Sequence, residues 1–255
     1  MSAYQPATVF ITGASAGFGV AMARRFAASG SRVVLAGRRL ERLQALAAEL
    51  GPQTLPLALD VRDRAAVTAA IATLPPQFAA VDLLINNAGL ALGLEPAHKA
   101  SLDDWQRMID TNITGLVNVT HALLPGLVAR GRGHIVNIGS TAGEWPYPGG
   151  NVYGATKAFV HQFSLNLRAD LIGTPVRVTN IEPGLCGGTE FSNVRFHGDD
   201  AKAAKVYEHT QPLTAEDVAE TVHWVATLPA HVNVNNLQVM PVCQANGPLA
   251  IHRAS

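Results

Sequence analysis

Short runs of β-branched and aliphatic residues alternate along the chain with longer stretches in which apolar positions recur every three to four residues. That alternation predicts strands over Thr8–Thr12, Arg32–Ala36, Thr54–Leu59, Asp82–Asn86, His134–Ile138, Val176–Ile181 and Leu237–Met240. Between them it predicts helices over Gly17–Ser29, Glu41–Leu50, Ala65–Leu74, Leu102–Val128, Asn151–Leu171 and Ala215–Thr227. Uninterrupted apolar runs such as Val33-Val34-Leu35 suit strands covered on both faces. With no linker, composition shift or internal repeat, residues 1–255 read as one α/β domain, a doubly wound parallel sheet of about seven strands with helices on both faces. Pro75-Pro76 and Pro125 are expected to end or kink helices. Over 189–211 the periodicity fades into polar residues around Gly198-Asp199-Asp200. A lid near the carboxyl ends of the strands is expected there, with a plain solvent loop as the alternative.

Composition narrows the partners. Hydrophobic residues make up 48% of the 255, and 19 basic side chains balance 19 acidic ones. Such a chain is not disordered, and it lacks the basic excess that grips polyphosphate or anionic lipid, so neither nucleic acid nor membrane is expected as a partner. Two cysteines, Cys186 and Cys243, offer no disulfide framework. The nine histidines form no i, i+4 pair and have no acidic cluster beside them in sequence, so no metal site is expected. Residues 1–8 carry no basic n-region, and no apolar run approaches the roughly 20 residues of a membrane span. The expectation is a cytoplasmic protein.

The first predicted strand runs into Thr12-Gly13-Ala14-Ser15-Ala16-Gly17-Phe18-Gly19 and then an alanine-rich helix. Missing side chains let backbone approach an anion, and a helix N-terminus supplies free N–H groups, so a pyrophosphate fits this junction. The spacing differs from G-x-G-x-x-G, and a purely packing role for the glycines stays open. At the end of the second strand, where an acid would hydrogen-bond ribose hydroxyls, stands Gly37 followed by Arg38 and Arg39. Guanidinium forks match phosphate geometry, which points to NADP(H) rather than NAD(H). Asp60-Val61, after the third strand, could meet the adenine; a helix cap by Asp60 is the alternative.

Tyr153 and Lys157 stand four residues apart, on one face of a predicted helix, and Ser140 ends a predicted strand. A phenol with an unperturbed pKa of roughly 10 needs a nearby cation to act as a base near neutrality. Thr12-Gly13-x-x-x-Gly17-x-Gly19, Asn86-Asn87-Ala88-Gly89, Asn112, Ser140, Tyr153-x-x-x-Lys157 and Pro183-Gly184 follow one another in the order of the short-chain dehydrogenase/reductase motifs, and the chain resembles that family over nearly its whole length. The segments 90–100, 144–147 and 182–191 resemble more narrowly its bacterial NADP-dependent 3-hydroxy acid dehydrogenases, which oxidise serine, allo-threonine and 3-hydroxyisobutyrate and, in reverse, reduce malonic semialdehyde.

The resemblance implies a Rossmann-type fold and assigns roles. Tyr153 would be the acid/base, Lys157 would lower its pKa and hold the nicotinamide ribose, Ser140 would hydrogen-bond the substrate oxygen, and Asn112 would anchor a water leading from Lys157. Asn87, Ala88 and Gly89 would pass the adenine side of the cofactor, while Pro183, Gly184 and Thr189 would bracket the carboxamide. Gly13, Ser15, Gly17, Phe18, Gly19, Arg38, Arg39, Asp60 and Val61 complete the expected cofactor site. For the substrate, Arg195 in the lid would pair with a carboxylate, an exposed surface arginine being the alternative; Trp145 and Tyr147 would wall the pocket. Two other functions stay open: reduction of other small carbonyl compounds on the same scaffold, and non-catalytic NADP(H) sensing. Family members usually assemble as tetramers through the helices carrying Asn112 and Tyr153, so a homotetramer is expected. Residues 235–255, with Pro241 and His252, are read as a second interface or a loose tail.

Overall fold

The computed structural model describes residues 4–246; of the expected C-terminal interface, residues 247–255 with His252 lie outside the described residues. Seven strands form one parallel sheet: β1 (Thr8–Thr12), β2 (Arg32–Gly37), β3 (Thr54–Ala58), β4 (Leu83–Asn86), β5 (Gly133–Ile138), β6 (Val176–Pro183) and β7 (Asn236–Val239). Their spatial order, β3-β2-β1-β4-β5-β6-β7, reverses direction between β1 and β4, which opens a crevice above the carboxyl ends at that point. Helices α1 (Gly17–Ala28), α2 (Leu40–Leu50), α3 (Arg64–Ala72), α4 (Pro76–Ala79), α5 (Leu102–Ile109), α6 (Leu116–Ala129), α7 (Asn151–Asp170), α8 (Phe191–Arg195), α9 (Asp200–Lys205) and α10 (Ala215–Thr227) complete the fold.

The two faces of the sheet bury separate apolar clusters, as the uninterrupted strand patterns require. On one, Val9, Ile11, Val33 and Leu35 pack against Met22 and Phe26 of α1 and Val218 and Val222 of α10. On the other, Phe10, Val34, Leu84 and Ile135 meet Val67 of α3, Val119 and Leu123 of α6 and Leu167 of α7. Buried polar bonds fix the register between these layers: Asn86 donates to Asn137 at 2.9 Å, and Asn137 donates to Ser164 of α7 at 2.8 Å. Local signals start several helices. Thr214 and Asp217 form a reciprocal capping box on α10, and Asp63 accepts from Ala66 N–H to cap α3.

Several elements differ from the sequence reading. The single helix expected over Leu102–Val128 is α5 and α6 joined by a π-helical turn, Asp110–Gly115. Taken together, Leu102–Ala129 is long and apolar enough to cross a membrane, although no apolar run of that length stood out in the sequence; here α6 packs on the sheet. Pro125 neither ends nor begins a helix but lies inside α6, where burial of Val119, Leu123 and Leu127 outweighs one missing backbone bond. Pro76 does begin a helix, the short α4. Over 189–211 the chain is not a plain loop: α8 and α9 form there, turned by His197 and Gly198, both in the left-handed region.

Gly19 lies in the first turn of α1, where a Cβ would overlap the Gly13 carbonyl oxygen and come within 2.8 Å of Ala14 Cα. Alanine is the better helix former by about 1 kcal/mol, so propensity alone predicts a stabilised Gly19→Ala variant. The backbone overlap predicts the opposite, a loss of about 1–3 kcal/mol in urea unfolding. An unchanged or raised unfolding midpoint would contradict this packing.

Candidate active site

The crevice encloses about 800 Å³ and runs from Gly37 and Asp60 at one end to Tyr147, Arg195 and Tyr207 at the other. Its floor is the turn after β1. Gly13 (φ 67°) and Gly17 (φ 51°) adopt the left-handed conformation that favours glycine, and a Cβ on Gly13 would sit 2.9 Å from Ala88 Cα. The neighbouring strand end is tied to this turn: the Thr12 hydroxyl accepts from Asn87 and Ala88 N–H at 2.9 and 3.0 Å, and Asn87 Nδ2 donates to Thr12 O at 2.9 Å. Helix α1 has no side-chain cap and no acid in its first turn, so its leading N–H groups remain available to an anion.

At the adenosine end Gly37, Arg38 and Ser15 border the cavity, with Arg39 donating to Ser15 Oγ at 3.1 Å. Asp60 and Val61 line it too. Asp60 does not cap α3, the role left open for it; Asp63 does that, and Asp60 binds Arg62 at 2.6 Å. That hydrogen bond holds the Asp60 carboxyl below the usual carboxylate range. The residues therefore suit a dinucleotide with a phosphate near Gly37: an uncapped helix, a glycine cradle and two guanidinium groups, with no acid directly after Gly37.

At the other end Ser140, Tyr153 and Lys157 meet. Ser140 lies two residues beyond β5 and accepts from Ala142 N–H at 3.1 Å, while Lys157 donates to Ile138 O at 2.7 Å. Both Tyr153 and Lys157 are only 8% exposed. Burial pushes the Tyr153 phenol up to about 12; the Ser140 hydroxyl and the Arg195 guanidinium act in the opposite direction. Burial also brings Lys157 down to about 8. Two cations therefore stand close to the phenol, Lys157 as the sequence reading expected and Arg195 as well. Lys157 Nζ lies 5.9 Å from the Tyr153 ring centre, and the Arg195 guanidinium carbon lies 5.2 Å away.

Arg195 is not a free surface side chain. It donates to Tyr147 Oη at 2.9 Å and stacks on Tyr153 and Phe191, while its buried Nε has no hydrogen-bond partner. Trp145 and Tyr147 line the crevice, as do Gly89, Pro183, Gly184, Thr189 and Phe18. Two expected residues do not. Gly19 lies behind the turn, and Asn112 sits in the π-helical turn, exchanging bonds with the Leu90 backbone at 2.9 Å and donating to Thr156 at 3.0 Å. The extra residue of a π turn re-aims backbone groups, which a periodicity count over an apolar helix cannot register.

The fold also assembles groups that sequence separation hides. Glu190 accepts from Arg39 at 2.8 Å and Arg42 at 2.7 Å, and those two bonds hold its carboxyl below the usual range. Ser192 and Tyr207 share a 2.6 Å hydrogen bond beside the pocket, and Gln244 accepts from Leu185 N–H, bringing the C-terminal segment to the crevice wall. Cys186 is a wall residue whose thiol burial pushes up to about 12. Glu144, His161 and Glu182, far apart in sequence, do form a histidine–carboxylate cluster, with ligand atoms within 4.8 Å of one another. The buried Glu182 carboxylate already accepts from His161, Asn180, Asn236 and Gln238.

Residues 7–199 match the short chain dehydrogenase family model. The NADP-dependent 3-hydroxy acid dehydrogenase YdfG of Salmonella typhi is 65% identical over 246 residues, covering 96% of this chain and 99% of that protein. The serine 3-dehydrogenase of Agrobacterium fabrum is 52% identical over 248 residues, covering 97% and 99%. Among solved structures, the closed form of serine dehydrogenase complexed with NADP+ superposes with a TM-score of 0.96 at 63% identity, covering 97% of this chain and all of that one. A family match over most of the chain, joined by relatives aligned from end to end, leaves one placement: this chain belongs to the short chain dehydrogenase family.

Proposed function

We propose that this protein is an NADP-dependent dehydrogenase of small 3-hydroxy acids, with serine, allo-threonine and 3-hydroxyisobutyrate as substrates and malonic semialdehyde reduced in the reverse direction. The observation that carries the substrate class is the position of Arg195, whose guanidinium carbon lies 5.2 Å from the Tyr153 ring centre with Nε buried and unpartnered. A 3-hydroxy acid separates its carbinol carbon from its carboxylate by one carbon, so a cation next to the acid/base fits the spacing. The acids bordering the cavity, Asp60 and Glu190, are both already paired with arginine. Relatives named for 3-hydroxy acids and for serine support the same reading. NADP(H) as cofactor is supported by the Gly37, Arg38 and Arg39 corner and by the NADP+ complex of a 63% identical chain.

Once bound, NADP(H) supplies or accepts the hydride at nicotinamide C4. Tyr153 holds the proton at its phenolic oxygen. Because burial keeps that group protonated near neutrality, it is ready to donate to the carbonyl oxygen during reduction and must first lose its proton during oxidation. The Ser140 oxygen accepts from Ala142 N–H, and its hydroxyl would turn its proton from the phenol to the substrate oxygen once substrate is bound. Lys157, anchored on Ile138 O, would hold the ribose, and Asn112 fixes the backbone through which a proton path would leave. Arg195 would orient the carboxylate, and this alignment is the chain's contribution to rate. The proposal includes a cytoplasmic homotetramer, for which the partly exposed Leu165 and the Phe159–Phe163 stack on α7 offer an apolar contact face.

Replacing the phenol tests the mechanism: Tyr153→Phe should lower kcat by about 10²–10⁴-fold while NADPH binding, followed by fluorescence, stays within a small factor. Retained turnover would sink the acid/base role. The substrate class is tested by Arg195→Met, for which kcat/KM on serine and 3-hydroxyisobutyrate should fall about 10–100-fold while a neutral alcohol changes little; equal losses on both would remove the carboxylate role. Because the resident proton must leave before oxidation, kcat/KM for oxidation should climb with pH across the neutral and mildly alkaline range, while reduction stays level or declines. An oxidation profile that falls as pH rises would contradict a buried, protonated Tyr153.

A further inference from the structure

Glu190 occupies a place that nothing in the expected chemistry explains. It stands immediately before α8, on the lid, yet its carboxylate reaches across the crevice to the adenosine end. One oxygen takes Arg39 at 2.8 Å and the other takes Arg42 at 2.7 Å. Arg39 is simultaneously tied to Ser15, and Ser15, Gly37 and Arg38 border the corner suited to the 2′-phosphate. The carboxylate thus holds the guanidinium that the phosphate would need. All three side chains are about half exposed, so each ion pair is weak enough to be exchanged.

We propose that Glu190 is a built-in competitor for the cofactor's 2′-phosphate, and so a specificity-determining residue that couples the lid to the phosphate. It pairs with both Arg39 and Arg42, offsetting one of their two charges, and keeps the lid drawn to α2. A phosphate carries up to two negative charges and three acceptor oxygens, and it takes Arg39 from a single carboxylate, leaving Glu190 on Arg42. NAD(H), which lacks that phosphate, leaves the Glu190–Arg39 bond intact. The inference rests on NADP(H) as the cofactor and concerns only how the chain regulates access to it.

Calorimetric titration of wild type and Glu190→Gln with NADP+, NAD+ and 2′,5′-ADP tests it without turnover. The expected result is that NADP+ and 2′,5′-ADP bind the variant more tightly by a common factor of roughly three to five, with NAD+ unchanged. An unchanged or weakened affinity for 2′,5′-ADP would overturn the competition, and so would an equal gain for NAD+, which would trace the effect to the lid alone. Wild type binding NADP+ no better than NAD+ would instead refute the cofactor reading itself, so the two failures are distinguishable. Arg42→Gln supplies an independent check. Leaving Glu190 on Arg39 alone, it should weaken 2′,5′-ADP, and adding Glu190→Gln should restore the affinity; no restoration would overturn the proposal.

Discussion

The chemistry of this crevice depends on keeping a phenol and an ammonium together away from water. Desolvation penalises the charged form of each, which raises Tyr153 and lowers Lys157, so burial alone works against the phenolate that oxidation needs. The chain opposes that penalty with placed groups. Ser140 offers a hydroxyl, and Arg195 lays a guanidinium over the same ring from the opposite wall. A net charge of zero over the chain therefore says little about this site, where a few cations at short range outweigh a global balance.

Holding those groups in register is work done by buried polar bonds behind the site. Asn86 and Asn137 tie β4, β5 and α7 together, which sets the height of Tyr153 and Lys157 relative to Ser140 just beyond β5. On the far side, Glu182 receives His161 from α7, Asn236 and Gln238 from β7, and stands directly before the Pro183-Gly184 wall. Each of these carboxylate and amide groups is costly to bury unless paired, and pairing fixes geometry as well as energy. Helix α7 and the wall of the crevice are thus locked to one sheet.

Much of this was legible in the sequence because it is local. Strand runs such as Val33-Val34-Leu35, the glycine turn after β1 and the four-residue spacing of Tyr153 and Lys157 are short-range patterns, and the structure places them as expected. What was hidden involves distance or exception. A π-helical turn inside an apolar helix leaves no periodic mark, and Pro125 obeys burial rather than its usual helix-breaking habit. Glu144, His161 and Glu182 meet only because β5, α7 and β6 lie side by side, so no spacing rule could find them. Nor could sequence find the helices within 189–211, since α8 is only five residues long and its pattern too brief to read.

That short helix joins the two ends of the crevice. Glu190 precedes it and faces the arginines of the adenosine end, while Arg195 ends it and faces the tyrosines of the substrate end. The backbone carbonyl of Arg195 also accepts from Gly93 at 2.9 Å, which ties this segment to the loop after β4. The two ends of the crevice are thus lined by one short segment, with a carboxylate at its start and a guanidinium at its end. Five residues of helix span only about 7.5 Å, so the two groups are held a short distance apart. Because Phe191 packs edge-on against the Tyr153 ring, the same segment that sets Glu190 beside Arg39 and Arg42 also packs on the phenol.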